Sequence, residues 1–225
     1  GDIAGVIHFA ASIEVEDSVK HPLRYYRNNL TALLNVMEQV RDRNISHFVF
    51  SSSCTVYGEH APMPVNEESP MGKPASPYGA TKQMGEQMIT DLIGAGSMER
   101  AVILRYFNPA GAHLSGLIGE CPRHPVSHLV PVIAQVASGD RPFLSIYGDD
   151  YPTRDGSCIR DYIHVSDLAR AHVQALEYSM QSMNTGCEYF NLGSGEGVSV
   201  KEAVRAFEKA TGIEIPVRIS ARRPG

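Results

Sequence analysis

The stretch "HFVFSSSCTVYG", residues 47–58, opens with an apolar run and turns abruptly to three serines. A short run of this kind reads as a buried strand, His47–Ser53, whose polar end marks where the chain leaves the sheet. Upstream lies another such run, "AGVIHFAA" (4–11), and between the two sits "HPLRYYRNNLTALLNVMEQVRDRN" (21–44). There Leu23, Tyr26, Leu30, Leu33, Leu34, Met37 and Val40 share one stripe, so the segment predicts a single amphipathic helix with Pro22 in its first turn. Downstream come a proline-rich loop, a helix from about Ser76 to Ile93 that stops at Gly94 and Gly96, and a third strand, "RAVILRYFN" (100–108). Strand, helix, strand, helix, strand predicts an α/β protein: a doubly wound parallel sheet with helices on both faces.

From Asn108 the character changes. "NPAGAHLSGLIGECPRHP" is rich in glycine and proline and reads as a long, functional loop. The rest alternates short elements: a helix at "HLVPVIAQVASG", strands at "FLSIYG" and "IRDYIHV", a helix over 166–180, and a strand and glycine turn at "EYFNLGSG" (188–195). Ser199 with Glu202 predicts a capping box opening a last helix. The expected division is a first domain over 1–110 and a second, smaller one over 111–225, with 159–180 returning to the first.

The chain has 225 residues, 43% hydrophobic and 20% charged, with a net charge of −5. That is the make-up of a globular protein, and its charge makes nucleic acid or an anionic membrane a poor partner. No apolar run is long enough to span a bilayer. Cys54, Cys121, Cys158 and Cys187 are scattered without a C-x-x-C, as reduced cytoplasmic thiols are. Cys121, His124 and His128 fall close together, but Pro122 and Pro125 interrupt them and no fourth ligand is near, so a plain loop is expected and no metal.

An α/β chain of this type would carry a phosphate-binding glycine loop after its first strand. "GSGEGV" (193–198) follows a strand, but its glycines run G-x-G-x-G rather than G-x-G-x-x-G, which favours an ordinary tight turn. The strand at 4–11 reads as an interior strand, so we expect the first βαβ units, and the natural N-terminus, to precede Gly1.

"SPYGATKQMGE" (76–86) places Tyr78 and Lys82 four residues apart on one helix face. A lysine ammonium beside a phenol favours the phenolate and lowers its pKa toward neutrality, giving a base for a sugar hydroxyl. Spacing alone is weak support, since surface pairs share it. Ser53 and the "RYFNP" segment add to it, because both end strands on the edge where doubly wound sheets bind ligands.

"VIHFAAS", "YYRNNLTALLNVME", "FVFSSSCTVYGE", "SPYGATK", "LRYFNPAGAH", "DGSCIRDYIHVSDLARAH", "YFNLGSGEGVSV" and "ARRPG" together resemble the UDP-glucose 4-epimerase family, extended members of the short-chain dehydrogenase/reductase superfamily. Y-x-x-x-K marks only the superfamily; the other motifs are more specific. The resemblance implies an NAD-binding Rossmann domain followed by a nucleotide-sugar domain, and a cytoplasmic homodimer of galactose metabolism that interconverts UDP-glucose and UDP-galactose. It implies Tyr78 as the base at sugar O4, Lys82 tuning it and holding the nicotinamide ribose, Ser53 on the reacting oxygen and Thr55 beside it. Phe9, Ala10, Ala11, Asn28 and Phe107 would line the NAD site. Asn108, Leu129, the segment Ser145, Ile146 and Tyr147, and the arginines Arg160 and Arg223 would hold the UDP-sugar. Ala11 stands where many members of the family have glycine, Ile13 where some carry a lysine, and His128 where an asparagine is common. A nucleotide-sugar dehydratase would carry an Asp-Glu pair where Cys54 and Thr55 stand. A reductase relative, or a non-catalytic fragment that binds UDP-sugar, stays open at this point.

Overall fold

Apolar residues placed every second position along some segments and every third or fourth along others resolve, in the computed structural model, into strands and helices over residues 3–120 and 126–222. In chain order these are β1 (Gly5–His8), α1 (Val15–Lys20), α2 (Pro22–Tyr25), α3 (Thr31–Asp42), β2 (His47–Ser51), α4 (Pro77–Gly94), β3 (Arg100–Tyr106), β4 (Asn108–Ala110) and α5 (Leu129–Ala137). Then follow β5 (Leu144–Tyr147), β6 (Ile159–His164), α6 (Val165–Gln181), β7 (Gly186–Leu192), β8 (Gly197–Ser199), α7 (Val200–Thr211) and β9 (Val217–Ser220). The contacts divide the chain into two units: residues up to Phe107 with Leu168–Leu192, and Asn108–Asp167 with Gly193 onward.

The first unit is built on a parallel sheet in the order β1-β2-β3-β7. Successive strands step the same way across the sheet, so right-handed crossovers put α3 and α4 on one face. There Leu33, Met37 and Val40 of α3 and Ile89 of α4 close over Phe48, Phe50 and Ile103. The other face, with Val49, Val102 and Leu104, is covered by Ala175 and Leu176 of α6. Gly85 marks where α4 comes closest to the sheet: a Cβ there would sit 2.7 Å from Phe50 Cζ. Gly58, which ends the short 3₁₀ turn Cys54–Tyr57, has φ +77°, a conformation that side chains resist.

The single helix expected over 21–44 is interrupted. A π-helical stretch, Tyr26–Leu30, separates α2 from α3. Its wider turn shifts the phase of the apolar stripe, so Tyr25 rather than Tyr26 is buried, and Leu23 and Leu34 face outward. The helix expected to open at Ser76 does so: Ser76 caps it by accepting from Gly79 N, and Pro77 follows in the first turn.

The second unit holds two small sheets, β4-β6-β8 and the parallel pair β5-β9. Val132, Ile133 and Val136 of α5 pack with Leu144, Ile146 and Val204 as its core. The capping box is present: Ser199 Oγ accepts from Glu202 N, and the Glu202 carboxylate accepts from Ser199 N.

Candidate active site

The three serines that end β2 each hold a different partner. The Ser51 carbonyl accepts from Lys82 Nζ at 2.6 Å. Its hydroxyl lies 2.8 Å from His172 Nε2 on α6, and His172 Nδ1 lies 2.8 Å from the Leu168 carbonyl. A carbonyl only accepts, so Nδ1 carries the ring proton and Nε2 accepts from Ser51. Ser52 donates to Glu86 Oε1 at 2.5 Å. Ser53 accepts from Thr55 N at 3.3 Å, and its hydroxyl acts on the Tyr78 phenol, favouring the phenolate. Sequence reasoning placed Ser53, Tyr78 and Lys82 together at one edge of the sheet, and the structure brings them together there.

Tyr78 and Lys82 are both nearly inaccessible, 7% and 5% exposed. The ammonium stands 5.7 Å from the Tyr78 ring centroid and 5.1 Å from that of Phe50. Burial pushes Lys82 down to about 8, opposed by the charge of Glu86. Tyr78 moves the other way from the expected lowering. Burial lifts its pKa above the ordinary value of 10, Tyr106 and Cys54 add to the rise, and the Ser53 hydrogen bond only partly opposes it. The physical reason is that the phenolate pays for losing water, while the nearby ammonium spends its short bond on the Ser51 carbonyl.

The segment after β1 follows the edge of the same sheet. Phe9 and Ala10 are exposed and Ala11 is half-buried. The Phe9 ring lies 4.4 Å from His172. Asn28 donates to Ser12 Oγ at 3.1 Å. Its neighbour Asn29, which the sequence reading passed over, is the stronger anchor. It accepts from Ser12 N at 2.7 Å, donates to Ser12 O, and reaches Thr81 Oγ1 on α4. The π-helical stretch presents both asparagines, and polar residues in consecutive positions inside an apolar helix were the signal for it. Phe107 follows β3, its N–H donating to Leu192 O at 3.1 Å. Thr55 Oγ1 is buried without a hydrogen-bond partner, and a Cβ at Gly79 would sit 3.4 Å from it.

In the second unit, Asn108 donates to the Asp161 carbonyl at 3.0 Å, which joins β4 to β6, and Arg160 lies exposed on β6. Leu129 opens α5, and Ser145, Ile146 and Tyr147 lie on β5. Ile146 turns its side chain inward. It is 3% exposed in the hydrophobic core, so along this strand Ser145 and Tyr147 are the outward side chains and Ile146 offers only its backbone. Arg223 lies outside the described residues, as do Cys121 and His124; His128 Nδ1 lies 2.5 Å from Glu120 Oε1. The glycine turn at 193–198 is filled from within. Asp161 accepts from Ser194 N, Ser194 Oγ and Gly195 N at 2.7, 2.7 and 3.0 Å, so a carboxylate sits where a phosphate cradle would hold its ligand.

A parallel α/β sheet whose strand edge gathers a serine, and a tyrosine and lysine one helical turn apart, defines a protein of the short-chain dehydrogenase/reductase type. The model of the NAD dependent epimerase/dehydratase family matches residues 2–193, and the chain belongs to that family. It is 49% identical over 223 residues to the UDP-glucose 4-epimerase of Erwinia amylovora, covering 99% of this chain and 66% of that protein. To the enzyme of the same name from Bacillus subtilis it is 50% identical over 224 residues, covering all of this chain and 65% of that protein. Among solved structures, UDP-glucose 4-epimerase from Bifidobacterium longum in complex with NAD+ and UDP superposes with a TM-score of 0.94 at 44% identity, over 100% of this chain and 66% of that one. The chain thus spans just under two thirds of the length of these relatives.

Proposed function

We propose that this protein interconverts UDP-glucose and UDP-galactose by reversible oxidation at sugar C4, with NAD as the resident cofactor. The observation that carries the reading is the buried Tyr78 phenol beside Ser53, with Lys82 one turn along the same helix and its ammonium 5.7 Å from the phenol ring centroid. The residues present fit the nicotinamide end of a dinucleotide. Phe9 and Ala10 form an exposed apolar ledge at the sheet edge, and the orphaned Thr55 hydroxyl is a group in need of a polar partner. Ala11, Asn28 and Phe107 complete that side, and Lys82 would meet the nicotinamide ribose. When bound, NAD supplies the acceptor that takes the C4 hydride and gives it back to the opposite face.

As a phenolate, Tyr78 Oη would take the proton from sugar O4 and return it while the Ser53 hydroxyl holds that oxygen; burial keeps the free phenol protonated, so Tyr78 must first give up its own proton. Lys82 keeps its proton at neutral pH, since burial brings it down only to about 8, and so places a positive charge beside that phenolate. The uridine diphosphate end falls to Asn108, Leu129, Ser145, the Ile146 backbone, Tyr147, Arg160 and Arg223, the arginines offering guanidinium forks to phosphate oxygens. In this reading the unit containing Tyr78 is the NAD-binding domain and the other the nucleotide-sugar domain.

The proposed setting is the cytoplasm and galactose metabolism, consistent with the scattered cysteines. The proposed assembly is a homodimer through the segments 21–44 and 76–93. Leu34 on α3 and Met84 on α4 support it, both large apolar side chains left facing outward. The test is incubation with UDP-galactose: appearance of UDP-glucose with no net change in NADH absorbance supports the reading, and a reduced, oxidised or dehydrated sugar product overturns it. Light scattering at micromolar concentration checks the dimer.

A further inference from the structure

Glu86 lies one turn beyond Lys82 on α4 and is fully buried, yet the reaction above gives it no task. Its carboxylate receives two parallel bonds from Arg105 on β3, Nε to Oε1 at 3.0 Å and Nη2 to Oε2 at 2.7 Å, besides the one from Ser52. Arg105, itself 4% exposed, passes the network on: Nη1 donates to the Tyr57 hydroxyl at 3.1 Å, and that hydroxyl donates to Asn191 Oδ1 at 2.6 Å. Its guanidinium also stacks 4.6 Å from the Tyr189 ring centroid. Stability does not account for such a pair, because well-packed apolar groups of the same volume are commonly as good or better.

Its placement does account for it. Ser52 is the residue between the carbonyl that holds Lys82 and the hydroxyl that holds Tyr78. A carboxylate held by both arms of the Arg105 fork therefore ties α4 to the residue just beyond β2, whose neighbours on either side both carry the chemistry.

We propose that Glu86 and Arg105 are positioning residues for the Ser53, Tyr78 and Lys82 site: their ion pair fixes Ser52, and Ser52 sets the Ser51 carbonyl against Lys82 and the Ser53 hydroxyl against Tyr78. The proposal rests on the reading of those three as the reacting groups. Glu86 also supplies a negative charge that opposes the lowering of the Lys82 pKa by burial. Among the described residues, the other titratable groups near that ammonium are His8 at the end of β1, Tyr78 on its own helix, Tyr106 on β3, which acts on Tyr78, and, through Ser51, His172 on α6. Burial lowers both histidines and raises both tyrosines, so all four are neutral between about pH 7 and 9.

The test follows Lys82 by NMR in the whole 225-residue chain with ¹³Cε-labelled lysine, its signal assigned with Lys82→Met. Glu86→Gln keeps the shape and an acceptor for Ser52 but removes the charge; its Lys82 midpoint is expected to fall by at least about half a pH unit. The double variant Glu86→Leu/Arg105→Met replaces the pair with apolar groups; it is expected to fold with a similar melting temperature, yet to lower the midpoint too, because the Ser51 carbonyl no longer holds the ammonium. A melting temperature that moves while both midpoints stay put would overturn the proposal. Loss of folding in both variants would overturn it equally, because the pair would then serve the fold itself. Failure of the epimerase reading would appear separately, as absent sugar conversion by the unaltered protein with the midpoint shifts intact.

Discussion

Lys82→Met isolates the free energy stored in one buried ammonium. The ordinary lysine value is 10.5 and burial brings Lys82 to about 8. Between those values the unfolded chain binds a proton at this position that the folded protein does not, so unfolding becomes harder as pH rises through that window. Below about 8 both states are protonated and the folded protein carries the full cost. Across the whole window the contribution is about 3 kcal/mol, and between pH 7 and 9.5 about 2 kcal/mol. Methionine abolishes the titration. It also removes the bond to Ser51 O, but that loss adds only a pH-independent offset. Tyrosines held above their ordinary value, Tyr78 and Tyr106 among them, reduce stability only as pH passes 10, which the chosen range avoids. The assay is urea unfolding at half-unit steps from pH 7 to 9.5 for both proteins. The wild-type curve is expected to rise relative to the variant by about 2 kcal/mol. Parallel curves would refute the argument, since Lys82 would then titrate alike folded and unfolded.

Tyr78→Phe removes only the phenol oxygen, and is expected to abolish UDP-galactose conversion in the catalytically competent protein while leaving UDP binding nearly intact; most of the turnover surviving would contradict the assignment. Arg160→Leu is expected to weaken UDP binding by at least about tenfold in calorimetric titration, as loss of a charge-assisted fork on phosphate should, and unchanged affinity would remove Arg160 from the site. Gly85→Ala would set a methyl 2.7 Å from Phe50 Cζ and 3.1 Å from Leu33 Cδ2, so α4 must lift from β2 at a cost of about 1–3 kcal/mol, seen as a lower melting temperature. An unchanged melting temperature there would mean that the helix and sheet are not in close contact.

The first unit was legible because its elements are long and their periods clean. The buried strand at 47–51, the cap at Ser76 and the stripe of Leu33, Met37 and Val40 needed only local pattern. Glu86 was not legible. Four residues after a lysine on a helix, it has the spacing of a surface ion pair. Its burial depends on Arg105, which only the pairing of β2 with β3 brings within reach. Asn29 escaped for the same reason, because its partners sit across the sheet edge. That the Ile146 side chain points into the core was not visible in a segment match, which carries every residue along, whereas a strand turns alternate side chains to opposite faces. The lowered phenol was expected from one charge on one helix; desolvation, which no local pattern reveals, outweighs it.

The carboxylate of Asp161 inside the turn at Ser194 and Gly195 has a consequence for selectivity. A tethered acid competes for those N–H groups at an effective concentration on the order of millimolar, whatever the solution contains. Inorganic phosphate and free nucleotides would have to displace an occupant that never diffuses away and would meet its negative charge in doing so. The turn is thereby self-inhibited as an anion trap.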